Sequence, residues 1–260
     1  MALSLEGQTY VVMGVANKRS IAWGISRSLS DAGATLVFTY AGDRLEKNVR
    51  ELAASIDQEK YIYACDITND DEIDKTFQQI KADVGPIHGL AHCIAFAKTE
   101  DLEGTFTETS REGFLLAHDI SAYSLTAVSH AIEKYEMMPE GGSIITLTYL
   151  GGERVVKNYN VMGVAKAALD ASVKYLANDL GAKQIRVNAI SAGPIRTLSA
   201  KGIAGFNTVL KEMEEKAPLK RTVTTEEVGN TALFLMSDLS KGITGEVIHV
   251  DGGYHIIGMG

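Results

Sequence analysis

The stretch Thr9-Tyr10-Val11-Val12-Met13-Gly14-Val15-Ala16-Asn17-Lys18-Arg19-Ser20-Ile21-Ala22-Trp23-Gly24 opens as an apolar run and turns at a glycine into a helical pattern. A strand, a glycine turn and a helix N-terminus in that order form an anion site, because unpaired N–H groups and the helix dipole both face the ligand. Ser20 stands where an N-cap is expected. The spacing departs from G-x-G-x-x-G, since Ala16 occupies the place of the second glycine. A tight structural turn accounts for Gly14 as well.

Working outward, the same rhythm repeats. Short β-branched runs cover Thr9–Gly14, Thr35–Tyr40, Tyr61–Asp66, Gly89–Ala95, Ser143–Tyr149, Arg186–Ser191 and Glu246–Val250. Longer amphipathic stretches cover Ile21–Ala32, Arg44–Ile56, Asp71–Val84, Arg111–Tyr135, Asn160–Leu180, Ala204–Lys216 and Thr225–Ser237. Strand followed by helix, repeated, is the pattern of a parallel sheet covered on both faces. We expect one α/β domain over residues 1–260: a single Rossmann-like, doubly wound seven-stranded parallel sheet with helices on both faces. Turn signals such as Val84-Gly85-Pro86 and Glu140-Gly141-Gly142 fall between elements. After Ala192-Gly193-Pro194 the rhythm breaks. Small residues, Gly202 and Gly205 fill the stretch to Phe206, so residues 195–216 are expected to form a substrate-binding lid. A plain connection is the alternative.

The chain has 260 residues, 45% of them hydrophobic, enough for one large core. Its net charge of −8 argues against nucleic acid as the main partner. No apolar run is long enough for a membrane span, and the N-terminus lacks the layout of a signal peptide. Cys65 and Cys93 are the two cysteines, both in expected strands and without metal-ligand spacing, which suits buried reduced thiols and a cytoplasmic location. The six histidines form no zinc pattern and read as structural, with His249 the least defined. No metal is expected.

The second strand ends at Thr39-Tyr40, followed by Ala41-Gly42-Asp43-Arg44. An acid at that point favours NAD and a base favours NADP. Neither stands directly at the strand end. We expect NADH, with NADPH possible. The third strand ends at Cys65-Asp66-Ile67, where Asp66 could reach an adenine amino group or serve as a turn carboxylate.

Tyr159 and Lys166 lie seven positions apart, close to two helical turns, so both face one side. A phenol beside an ammonium is a proton-donating site, and the positive neighbour is expected to lower the Tyr159 pKa towards neutrality. Tyr149 lies upstream at the end of an apolar run. An ordinary helix with one polar stripe is the bland alternative.

Together these pieces resemble the short-chain dehydrogenase/reductase superfamily, and within it the divergent bacterial enoyl-acyl-carrier-protein reductases. The segments that carry the resemblance are Gly14–Gly24, Cys93–Ala97, Thr148–Glu153, Asn158–Lys166, Arg186–Ser199 and Asp251-Gly252-Gly253. Ordinary superfamily members space Tyr and Lys by four and place a Ser upstream; this chain has a spacing of seven and Tyr149 upstream. The resemblance implies that Tyr159 is the catalytic phenol, that Lys166 binds the nicotinamide ribose, and that Tyr149 lines the acyl thioester site. It places Gly14, Ser20, Ile21, Asp66, Ile67, Ile94, Ile195, Arg196, Thr197, Leu198 and Ser199 at the cofactor, and Ala97 at the substrate. It also implies a homotetramer and an acyl carrier protein as the substrate's carrier.

A 2-enoyl thioester accepts hydride at its β-carbon, and charge then develops on the thioester oxygen. Tyr159 is expected to donate to that oxygen. Met162 and Phe206, with Tyr149, are expected to shape a slot for the acyl chain; both are otherwise core residues. An acidic carrier would need a local basic patch, for which Lys201, Lys211 and Arg196 are candidates; solvated surface lysines are the alternative. A carbonyl or alcohol oxidoreductase of the same superfamily and a non-catalytic NAD(P)-sensing protein are the competing readings.

Overall fold

In the computed structural model, which describes residues 3–197 and 205–258, β1 (Thr9–Met13) lies between β2 (Thr35–Tyr40) and β4 (Gly89–His92). The full order is β3-β2-β1-β4-β5-β6-β7, with β3 (Tyr61–Ala64), β5 (Gly142–Thr148), β6 (Ile185–Ala192) and β7 (Val247–Val250). Every pairing is parallel. The strand order reverses between β1 and β4, and in such sheets ligands bind beyond the carboxyl ends of the strands at that switch.

Both faces are covered, as the unbroken apolar strands require. One face carries α1 (Ile21–Asp31), α2 (Asp43–Ala54) and α8 (Thr225–Met236), which bury Trp23, Ile25, Leu29, Leu52 and Leu235 against the sheet. The other carries α3 (Asp70–Val84), α5 (Ser124–Lys134) and α6 (Asn160–Gly181), burying Phe77, Ile80, Leu125, Leu169 and Val173. The short α4 (Arg111–His118) packs beside α6, and α7 (Phe206–Lys216) lies near the ligand end. Asn69 caps α3 by accepting from the Asp71 and Glu72 amides, and a Thr224–Glu227 capping box starts α8. At the far end of the sheet, Arg186 donates to the carbonyls of Leu235 and Ser237, satisfying the exit of α8.

Two elements differ from the sequence reading by more than two residues or by an interruption. The expected strand Gly89–Ala95 pairs only as far as His92, with a last backbone bond from Cys93 N–H to the Met13 carbonyl. Beyond it β1 has turned away at Gly14, so the β1 side offers no further partner, and the chain also leaves β5, which runs on to Thr148 paired with β6. The expected helix Arg111–Tyr135 is interrupted by one π-helical turn, Asp119–Tyr123. The wider turn takes in one more residue than an α turn, which a continuous helical reading of Arg111–Tyr135 does not anticipate.

Candidate active site

Gly14 is where the chain leaves β1, with φ of 90°. A Cβ there would lie 2.1 Å from the Cys93 carbonyl oxygen. Only glycine lets the two strand ends pass this closely. Beyond them opens a crevice of about 340 Å³ whose wall includes Gly14, Ser20, Ile21, Ile67 and Ile94. The helix that follows begins at Ile21. Ser20 occupies the N-cap position, but its hydroxyl donates to the Asn17 carbonyl and makes no capping bond. The Trp23 and Gly24 amides bond Ser20, so within the first turn the Ile21 and Ala22 amides are left without a helical acceptor. Open N–H groups, a glycine passage and a crevice at the strand ends fit a dinucleotide and its pyrophosphate.

Asp66 lies beside this wall. Its carboxylate accepts from the backbone and hydroxyl of Thr68, the bonds of a turn residue. Ile195 and Thr197 border the neighbouring cavity. Arg196 is exposed and donates to Asn207. Leu198, Ser199 and Lys201 lie outside the described residues. Lys211 is exposed and stands 3.7 Å from Glu215.

The crevice joins a second cavity of about 380 Å³, and Ile21, Ala95, Leu147, Lys166 and Thr197 border both. The second cavity is mainly apolar. It gathers Ala97, Tyr149, Tyr159, Met162 and Phe206, the residues singled out for substrate. It also gathers Leu102 and Val156, which carried no sequence signal beyond being apolar.

Tyr159 is the N-cap residue of α6, and Lys166 lies on the second turn. Both are buried. The Lys166 ammonium donates to the Leu147 carbonyl at the end of β5, over 2.7 Å. That bond fixes the long side chain between strand end and cavity. The Tyr159 hydroxyl makes no hydrogen bond to another described residue. Its ring is held by Tyr149 on one side and by Gly151 on another, where a Cβ would lie 2.4 Å from the ring.

The electrostatics overturn one expectation. Tyr159 is not brought towards neutrality. Burial pushes its pKa well above the ordinary value, with Tyr149 and Asp170 adding to the rise. Tyr149 is pushed up to about 12, by burial first and then by Tyr254 and Asp251. Lys166 moves the other way, down to about 8, because burial disfavours its charge; Asp170 and Cys93 oppose that fall. Loss of water around the phenol outweighs the ammonium two turns along. At neutral pH the site therefore presents a neutral O–H donor and a lysine still mostly charged.

Asp170 is a residue the sequence reading missed. It lies four positions after Lys166 on α6, so i,i+4 spacing could have found it. Burial raises its own pKa, while Thr148 and Lys166 lower it. Cys65 and Cys93 are free thiols. His92 is fully buried between Thr146 and Ser124, and burial holds it neutral with a pKa near 3. His249 pairs with Glu153 and stacks on His255. Among the described residues no group of three or more His, Cys, Asp or Glu could hold a metal, and no helix is long and apolar enough to cross a membrane.

A crevice at the sheet's switch point, leading into an apolar cavity that holds a neutral phenol and a lysine, defines a dinucleotide-dependent oxidoreductase. Comparison with known proteins narrows the class. A family model described as enoyl-(acyl carrier protein) reductase matches residues 14–255. The NADH-dependent enoyl-[acyl-carrier-protein] reductase FabI of Bacillus cereus is 69% identical over 98% of this chain and 99% of its own. The NADPH-dependent FabI of Staphylococcus aureus is 62% identical over 98% of this chain and 99% of its own. The crystal structure of the Bacillus cereus enoyl-acyl carrier protein reductase with NADP+ and indole naphthyridinone superposes with a TM-score of 0.96, at 68% identity and full coverage of both chains. The chain belongs to the enoyl-(acyl carrier protein) reductase family.

Proposed function

We propose that this protein reduces the carbon–carbon double bond of trans-2-enoyl thioesters carried on acyl carrier protein, in the last reductive step of fatty-acid elongation. The observation that carries the reading is the placement of Tyr159 and Lys166 on one cavity that opens onto the dinucleotide crevice. When bound, a reduced nicotinamide dinucleotide supplies the hydride. Tyr159 donates its O–H to the thioester oxygen as negative charge develops there, and its high pKa keeps the proton on the phenol until then. Lys166, anchored on Leu147, holds the ribose hydroxyls and places a positive charge near that oxygen. Tyr149, Met162, Phe206 and Ala97 exclude water around the acyl chain.

The cofactor side is formed by Gly14, Ser20, Ile21, Ile67, Ile94 and Thr197; Asp66, Ile195 and Arg196 are the further expected contacts, and the expected Leu198 and Ser199 lie outside the described residues. NADH is the expected donor, and NADPH is compatible with the same crevice because Ala41 and Gly42, with no carboxylate, directly follow β2. The expected lid over 195–216 is supported where it is described, since Ile195, Thr197, Phe206 and Val209 border the cavity; residues 198–204 lie outside the described residues. Lys201 is the favoured contact for an acidic carrier. A Lys201→Glu variant should raise KM for carrier-linked substrate at low salt and leave a coenzyme A thioester unaffected. The protein acts in the cytoplasm as a homotetramer. Exposed Leu115, Tyr123 and Tyr175 on the α4–α6 side, and β7 as an open sheet edge, supply surfaces for self-association.

The direct test is initial rates with NADH and NADPH against crotonyl and acetoacetyl thioesters. Oxidation of the nicotinamide by the crotonyl thioester alone is expected. Turnover of acetoacetyl thioester alone would instead identify a carbonyl reductase, and tight NADH binding without turnover a sensing protein.

A further inference from the structure

Once β4 ends at His92, the chain runs on through Ile94, Ala95, Phe96 and Ala97 as irregular backbone. Ala95, Phe96 and Ala97 border the apolar cavity, and Ala95 borders the crevice too. No backbone–backbone bond among the described residues holds Ile94, Ala95, Phe96 or Ala97. A wall built this way should be loose.

One side chain holds it. The Ser121 hydroxyl accepts from the Phe96 N–H over 3.0 Å and donates to the Phe96 carbonyl over 3.1 Å. Ser121 is fully buried and does not border the cavity. It sits inside the π-helical turn Asp119–Tyr123. Three positions on, Ser124 donates to the Ile120 carbonyl, and its oxygen is hydrogen-bonded with His92 Nε2, 2.8 Å away. The two serines thus fasten successive parts of one strand exit: Ser124 the last paired residue, Ser121 the unpaired wall beyond it. Their i,i+3 spacing puts both on the face turned to the sheet.

We propose that Ser121 is a positioning residue for the enoyl thioester: by holding both polar groups of the Phe96 peptide it sets the Ala95–Ala97 wall, and substrate affinity depends on a hydroxyl that never touches substrate. The inference rests on Ala97 and Tyr159 bordering the substrate site. Ala95 is the one residue of this wall that also borders the crevice, whose other lining includes Gly14, Ser20, Ile21 and Ile67 from different elements, so the effect on cofactor is expected to be smaller than the effect on substrate.

The test compares Ser121→Ala with Ser124→Ala in the full chain. Ser121→Ala should raise KM for crotonyl thioester roughly fivefold to tenfold, the scale of one lost buried hydrogen bond. Its Kd for NADH should stay within about twofold of the wild type, well below that scale. Ser124→Ala, which loses an equally buried hydroxyl behind the strand, should lower Tm without that rise in KM. A Ser121→Ala enzyme with unchanged KM, or with no larger a rise than Ser124→Ala, overturns the assignment. Should Ser121→Ala not fold, amide exchange in the unaltered protein decides. The Phe96 N–H should exchange about a hundredfold slower than an unprotected amide, and free exchange overturns the proposal. Full kcat in Tyr159→Phe would mark failure of the site reading itself; an inactive Tyr159→Phe beside an unchanged Ser121→Ala KM would sink this inference alone.

Discussion

The rings of Tyr149 and Tyr159 meet edge to face, their centroids 5.0 Å apart and their planes inclined at 71°. This arrangement suits the opposite charge of ring edge and ring face. It also excludes water from both phenols, and that exclusion raises both pKa values. Tyr159 therefore works as a hydrogen-bond donor rather than as a resting phenolate.

Tyr159→Phe should remove one donor to the developing negative charge and little else, since the hydroxyl carries no bond to another described residue. We expect kcat to fall by about 10²–10³-fold, with NADH affinity and Tm close to wild type. Steady-state rates and isothermal titration with NADH on the same preparation check this. An equal loss of NADH binding would contradict the role.

Lys166 should give the pH profile its alkaline limb. Its folded pKa is lowered to about 8, so it is charged below that pH and neutral above it. Activity and NADH affinity should decline together as pH rises through about 8. The groups facing it are Asp170 on its own helix and Cys93 and His92 at the exit of β4. Of these, Asp170 opposes the shift most strongly, so Asp170→Asn should move the limb to lower pH. Lys166→Ala should weaken NADH roughly tenfold to a hundredfold, as expected for a hydrogen bond from a charged group.

Gly151→Ala should disturb the Tyr159 ring. The added methyl would lie 2.4 Å from one ring carbon and 2.7 Å from the next, while Tyr149 bars retreat on its side. Overpacking of this kind costs about 1–3 kcal/mol. Thermal unfolding should show that loss, and kcat should fall with it. Unchanged rates would mean that the ring's position is not critical.

Glu227 should make stability acid-sensitive. Arg221 grips its carboxylate with two guanidinium bonds, and the Thr224 backbone N–H adds a third, which together hold its pKa down to about 2 from an ordinary 4.5. A depressed carboxylate stabilises the fold above its unfolded pKa and loses that contribution as pH falls through the folded one. Glu227→Gln should thus destabilise by about 1 kcal/mol near neutrality, the scale of a lost helix cap. The gap in Tm between variant and wild type should narrow between pH 4.5 and pH 2. A gap that stays constant would argue against the Arg221 bridge.

By itself the sequence determined the layered fold, because apolar runs of strand length alternate with helical periods and each must bury its face locally. All seven expected strands and the positions of Tyr149, Tyr159 and Lys166 could be read this way, since each depends on residues close in the chain. Burial against distant partners could not be read. The Tyr159 phenol rises because Tyr149 and Gly151 shut water out, which reverses the shift its spacing from Lys166 suggests. β4 loses its β1 partner after His92 because β1 turns away at Gly14, where the Cys93 carbonyl passes too close for any Cβ, a contact between residues far apart in sequence. Ser121 and Ser124 look like ordinary helix serines until the π turn sets them against Phe96 and His92. Hydrogen bonding and desolvation act between groups that only the folded chain brings together, and those decided how the site is tuned.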